Sequence, residues 1–158
     1  MKSRLQLAMN IIDQAHRDQT EKFYGTPYVE HCYRVMHRMT YKCDVTEGEL
    51  LAALCHDVLE DVNENKRESY REDIRYLLGA EVLRLVEILR RDASETYRQY
   101  IERVKEDARA SLIKECDLDD HLDESRVDRE GTCYIMLDQN QSLRKRYEIA
   151  RAVITSVW

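Results

Sequence analysis

Apolar residues recur along most of this chain at intervals of three and four, the spacing of one helical face. Leu5, Ala8, Met9, Ile12 and Ala15 predict an amphipathic first helix over residues 3–21, with His16 and Gln19 on its last turns. Gly25 breaks it, and Pro27, suited to the first position of a helix, opens a second one that runs to about residue 41. The inward face of that second helix carries Tyr28, His31, Val35 and Met39. Residues 50–61 differ from the rest, because Leu50, Leu51, Ala53, Leu54, Cys55, Val58 and Leu59 leave almost no polar face and predict a buried helix. Thr46 as N-cap, with Glu49 reaching back to it, marks the start of this helix.

Further along, residues 62–68 are charged and predict a surface loop. A helix over 69–78 should end at Gly79, and Val82, Leu85, Val86 and Leu89 predict another over 80–91. Residues 95–122 read as two helices, with Tyr97, Tyr100, Ile101 and Val104 inward in the first. The second holds Leu112, Ile113, Cys116 and Leu122 around Lys114, Asp117, Asp120 and His121, and the pair Asp119-Asp120 is expected on a solvated acidic face. Residues 124–131 are loop-like, and the apolar run 133–137 fits either a strand or a buried helical turn. A last helix is expected over 141–157, with Leu143, Tyr147, Ala150, Val153 and Ile154 inward.

Composition sharpens this picture. One Pro, four Gly and 35% charged residues leave little material for strands, and 158 residues suffice for one sizeable core, so an all-α single domain over 1–158 is expected. A net charge of −6 argues against stable, non-specific nucleic-acid binding, and no apolar run is long enough to span a membrane. Cys32, Cys43, Cys55, Cys116 and Cys133 are odd in number, form no CxxC pair and follow no signal peptide, which points to reduced thiols in the cytoplasm.

The chemistry concentrates in the buried 50–61 stretch. Helical spacing places Glu60 one turn from His56 and Asp57, and Asp61 one turn from Asp57, so four ionisable groups share a stripe on an apolar rod. Unpaired carboxylates in such a setting cost several kcal/mol, on the order usual for buried ions, and a cation is the natural partner. His31, His56, Asp57 and Asp117 together make a mixed nitrogen and oxygen set suited to Mn²⁺ or Fe²⁺. They lie on three separate helices, however, and a lone core histidine such as His31 is ordinarily satisfied by a hydrogen bond alone.

The order and context of these residues resemble the HD-domain phosphohydrolase superfamily, in particular the hydrolase domain of RelA/SpoT homologues and their small stand-alone relatives. The resemblance covers residues 16–121 and is carried by Ala15-His16, Gln19, Gly25-Thr26-Pro27-Tyr28 with His31, the run Ala52 through Asp61 containing HDVLED, Leu78-Gly79-Ala80-Glu81-Val82, and Lys114-Glu115-Cys116-Asp117. It implies an HD-domain helical bundle in which His31, His56, Asp57 and Asp117 bind a divalent metal, usually manganese, while Glu60 and Asp61 position or deprotonate the attacking water. It further implies substrate contacts from Lys22, His16, Tyr28 and Lys114, to which His121 and Tyr147 are added from their places in the sequence. The alternatives are solvated surface lysines at 22 and 114 and a core tyrosine at 147.

Three departures bear on the substrate. Glu21 stands where the alarmone hydrolases carry an arginine, Cys32 follows His31 in place of a proline, and His121 replaces an asparagine. Glu21 is expected either at the base site or in solvent at the end of the first helix. The expected activity is hydrolysis of a small nucleotide, with a guanosine 3′-pyrophosphate of the (p)ppGpp type first. The alternatives are an HD-type nucleotidase acting on another nucleotide and a non-catalytic nucleotide-binding or interaction module.

Overall fold

Ser3, Thr46 and Thr96 each accept a hydrogen bond from the backbone three residues on, while Gln6, Glu49 and Gln99 reach back to the capping residue. These reciprocal caps start three of the helices in the computed structural model, which describes residues 2–128 and 130–156. The helices are α1 (Arg4–Ala15), α2 (Val29–Met39), α3 (Glu47–Leu54), α4 (Val58–Asp61), α5 (Glu64–Asp73), α6 (Ala80–Leu89), α7 (Tyr97–Lys105), α8 (Ala108–His121) and α9 (Gln141–Thr155). Among the described residues there is no strand, so the fold is the all-α bundle that the periodicity predicts, and no helix is long and apolar enough to cross a membrane.

The core is built around α3, whose Leu51, Ala52, Ala53 and Leu54 are almost wholly buried. Small residues on this helix let α1, α2, α6 and α8 close on it. Helix α8 in turn packs against α7 and α9, and one continuous apolar cluster joins them all.

Several boundaries differ from expectation for local reasons. Helix α1 stops at Ala15, where the apolar period ends, and residues 16–28 form a tight excursion pinned by a bridge between Thr20 and Pro27. Pro27 therefore precedes α2 instead of opening it, and Gly25 takes a positive φ of 66° that suits glycine. The rod expected over 50–61 is interrupted at residues 55–57. There the His56 Nδ1–H donates to the Ala53 carbonyl at 2.8 Å, taking the acceptor that an unbroken helix would offer to the Asp57 N–H.

Residues 64–68, expected as loop, belong to α5. This helix buries none of its residues and is held by ion pairs, Arg71 with Glu68 at 2.6 Å and with Glu87 at 2.7 Å, and by Arg67 donating to the Leu59 carbonyl at 2.9 Å. It continues into a π turn, Ile74–Leu78, that ends at Gly79 with φ 102°. The run 133–137 is a 3-10 turn, Tyr134–Met136, with Ile135 buried, followed by another at Asp138–Asn140. The expected end of the last helix at Val157 lies outside the described residues.

Candidate metal centre and substrate cavity

The interruption after α3 sets His56 and Asp57 on a turn, where they face His31 on α2 and Asp117 on α8. Nε2 of His31 lies 3.2 Å from Asp117 Oδ1 and 3.6 Å from Asp57 Oδ2. Nε2 of His56 lies 3.0 Å from Asp57 Oδ2 and 3.7 Å from Asp117 Oδ1. His31, His56 and Asp117 are at most 3% exposed, and their ligand-type atoms all fall within 4.8 Å of one another.

The atoms His31 Nε2, His56 Nε2 and Asp117 Oδ1 are buried without a hydrogen-bond partner in proper geometry. Each such atom left alone costs about 1–3 kcal/mol, so three converging on one point are suited to a cation. Both imidazoles also have Nδ1 engaged elsewhere, His56 on the Ala53 carbonyl and His31 on Asp120 Oδ2 at 2.8 Å, which leaves Nε2 as the free ligand atom. The donor set therefore fits a divalent metal.

Electrostatics agree. Burial opposes charge on His31 and His56, yet the neighbouring carboxylates outweigh it and raise both imidazoles above their ordinary range. Burial would likewise raise Asp57 and Asp117, but His56 holds the first and Lys114 the second below the usual carboxylate range. Asp57 Oδ2 also accepts from the Tyr28 hydroxyl at 2.6 Å.

Glu60 and Asp61 follow on α4. Glu60 accepts from the Arg91 N–H at 3.0 Å and opens on a polar cleft with Arg67, Arg90 and Arg91. Asp61 lies 3.8 Å from His16, and burial together with Asp57 and Glu60 pushes its carboxyl up to about 7. Glu60 is raised as well, chiefly by burial.

The other expected site residues divide in two. Lys22, Tyr28, His121 and Tyr147 line a cavity of about 270 Å³ that reaches His31. His121 stacks on His31 at 4.8 Å between centroids and on Tyr147 at 4.9 Å, and its Nε2 is 3.2 Å from Asp117 Oδ1. Tyr147 thus belongs to the wall of the cavity as well as to the packing. His16 and Lys114 instead stand behind other residues. His16 is 2% exposed, 2.5 Å from Gln19 Oε1 and packed on Tyr28, while Lys114 is no surface lysine but donates to Asp117 Oδ2 at 2.6 Å and lies over the Tyr100 ring.

Two expectations are overturned beside the cavity. Asp120 is not on a solvated face: it is wholly buried and holds His31 and Arg34. Glu21 is not in solvent: it is 7% exposed, bridges Arg34 at 2.9 Å and Arg126, and accepts from Thr26 at 2.8 Å. The sequence held one signal for Arg34, which follows His31 by three residues on α2. Nothing local marks Arg126, which reaches Glu21 from 105 positions away.

The chain is 38% identical over 119 residues to guanosine-3′,5′-bis(diphosphate) 3′-pyrophosphohydrolase MESH1 of Drosophila melanogaster, covering 71% of this chain and 64% of that protein. It is 31% identical over 116 residues to the Danio rerio protein of the same name, covering 69% and 62% respectively. The match thus spans less than two thirds of the length of these relatives. A solved structure described as a metazoan ortholog of SpoT that hydrolyzes ppGpp superposes with a TM-score of 0.74 at 25% identity, covering 99% of this chain and 88% of that one. Residues 8–116, which carry most of α1 through most of α8 and three of the four expected metal ligands, match the HD domain profile, and the chain belongs to the HD domain family.

Proposed function

We propose that this chain is a metal-dependent pyrophosphohydrolase acting on a small nucleotide, with a guanosine 3′-pyrophosphate of the (p)ppGpp type as the first substrate. The observation that carries the reading is the convergence of His31 Nε2, His56 Nε2 and Asp117 Oδ1, all buried and without a hydrogen bond, at the end of a cavity that His31 lines. The names of the relatives support the substrate class.

In this reading His31, His56, Asp57 and Asp117 hold the metal, with Mn²⁺ preferred and Fe²⁺ second for a mixed nitrogen and oxygen set. When bound, the ion supplies Lewis acidity that brings the pKa of a water toward neutrality. Glu60 and Asp61 orient the attacking water and take its proton, the task of carboxylates that follow the metal ligands, on α4. Water adds to the phosphorus next to the 3′ oxygen, the bond between them breaks, and that oxygen takes up the proton collected by the carboxylates, so that the nucleotide's 3′-hydroxyl and pyrophosphate are the products. Lys22, Tyr28, His121 and Tyr147 contact the substrate in the cavity, Lys114 holds Asp117, and His16 steadies the Asp61 side of the site.

Glu21 favours a second substrate reading, a nucleotide with another base. The carboxylate stands in the cavity wall where related hydrolases place an arginine, although Arg34 and Arg126 neutralise it. We also take the chain as one HD domain, in keeping with its continuous core, and as cytoplasmic, in keeping with five unpaired cysteines.

Incubating the Mn²⁺-loaded protein with guanosine and adenosine nucleotides, with and without a 3′-pyrophosphate, followed by anion-exchange separation, tests the proposal. Release of pyrophosphate from ppGpp is the expected result. Turnover of other nucleotides alone would move the assignment to the second reading, and no turnover of any would overturn both.

A further inference from the structure

The two imidazoles at the metal centre are oriented by different means. His56 is held by a backbone carbonyl, that of Ala53, which no side-chain substitution removes. His31 is held by Asp120, whose Oδ2 lies 2.8 Å from Nδ1. We propose that Asp120 is a positioning residue for His31: it fixes the tautomer that carries the proton on Nδ1 and so presents the Nε2 lone pair to the metal. This inference rests on the reading of His31 as a ligand.

Three features carry it. A carboxylate with its oxygens occupied by donors can only accept, and Asp120 meets Arg34 Nε at 2.9 Å on Oδ1 and Arg126 Nη1 at 3.2 Å on Oδ2. The imidazole nitrogen that faces it must therefore donate. Next, the arrangement closes on itself, because α8 supplies both Asp117 and, three residues on, Asp120, while α2 supplies both His31 and, three residues on, Arg34. Finally, Asp120 is itself caged. Glu21 bridges Arg34 and Arg126, and Arg38 adds a longer contact at 3.5 Å, so the carboxylate has no freedom to turn away from His31.

The same guanidiniums argue that Glu21, His31 and Asp120, although close enough to resemble a second cation site, serve this cage instead. Arg126 also extends the cage to the cavity, since its guanidinium lies over the Tyr24 ring at 4.3 Å and its carbonyl accepts from the Tyr24 hydroxyl.

The test is Mn²⁺ affinity, read from the free Mn²⁺ signal by electron paramagnetic resonance, in wild type, Asp120→Asn and Asp119→Asn, together with ¹⁵N NMR of the His31 ring in metal-free protein at alkaline pH. Asp119 is the control, on the same helix but paired with Arg151. Loss of an orienting partner of this kind typically weakens metal binding about 10- to 100-fold, and that is the loss expected for Asp120→Asn, with Asp119→Asn unchanged. Wild type should show the Nδ1–H tautomer. Unchanged Mn²⁺ affinity in a folded Asp120→Asn would overturn the proposal, and so would an Nε2–H tautomer in wild type, a result that needs no variant to fold. If wild type takes up no Mn²⁺, the metal reading of the site falls, while the tautomer still decides whether Asp120 sets the ring.

Discussion

Tyr28 donates its hydroxyl to Asp57 Oδ2 at 2.6 Å, from a position three residues before His31. The same oxygen lies 3.0 Å from His56 Nε2 and 3.6 Å from His31 Nε2, so the phenol steadies the one proposed ligand carboxylate that sits on a turn instead of a helix. Tyr28→Phe keeps the ring and removes the donor. A several-fold weaker Mn²⁺ affinity is expected, with a stability loss of about 1 kcal/mol in urea titration. Unchanged metal binding with a raised KM would leave Tyr28 its substrate contact alone.

His56 and Glu60 should separate metal binding from chemistry. His56→Ala removes a buried atom aimed at the centre and is expected to lose metal and activity together. Glu60→Gln should keep the metal and lower kcat on the order of a hundredfold or more, the usual loss for a missing general base. Metal content by mass spectrometry beside steady-state rates checks both, and equal metal loss in Glu60→Gln would make Glu60 a ligand or a structural residue.

Asp61 gives the metal-free protein a pH signature. Its carboxyl is pushed up to about 7 by burial and by Asp57 and Glu60, against about 3.9 in an unfolded chain. Between those values the native state keeps a proton that the unfolded state has released. The contribution of this group to stability is thus complete below about pH 4, falls as pH rises toward 7, and stays low above it. Asp61→Asn abolishes the titration, so its Tm relative to wild type, measured in a chelator, should be higher at pH 8 than at pH 5. A difference independent of pH would show that Asp61 titrates at its ordinary value.

Glu21→Arg restores the residue type of the alarmone hydrolases but sets a third guanidinium against Arg34 and Arg126. Breaking a buried ion pair from one side costs about 3–5 kcal/mol, and with the arginines partly exposed the expected loss is at the lower end of that range. Urea denaturation measures it. A stable Glu21→Arg that lowers KM for guanosine substrates would mean that the new arginine turns into the cavity and reads the base.

Much of the fold was legible before any tertiary contact was known. The three-and-four spacing of Leu51 and Leu54, of Val82, Leu85 and Leu89, and of Tyr100, Ile101 and Val104 identifies buried helical faces, because a helix repeats every 3.6 residues whatever it packs against. Thr46 and Gly79 act through their own backbone neighbours, so their roles as caps were also readable. The spacing that set His56, Asp57, Glu60 and Asp61 on one stripe assumed an unbroken helix, whereas His56 and Asp57 lie on the turn before α4. Only the tertiary structure decided which charged residues are buried. Asp119 and Asp120 are adjacent and chemically alike, yet one meets Arg151 at the surface and the other His31 and Arg34 in the interior, a distinction made by helices 30 to 90 positions away. Helix α5, polar apart from Tyr70, depends likewise on an ion pair with Glu87 of α6. Local periodicity states which residues share a face; what that face meets is set by packing between distant segments.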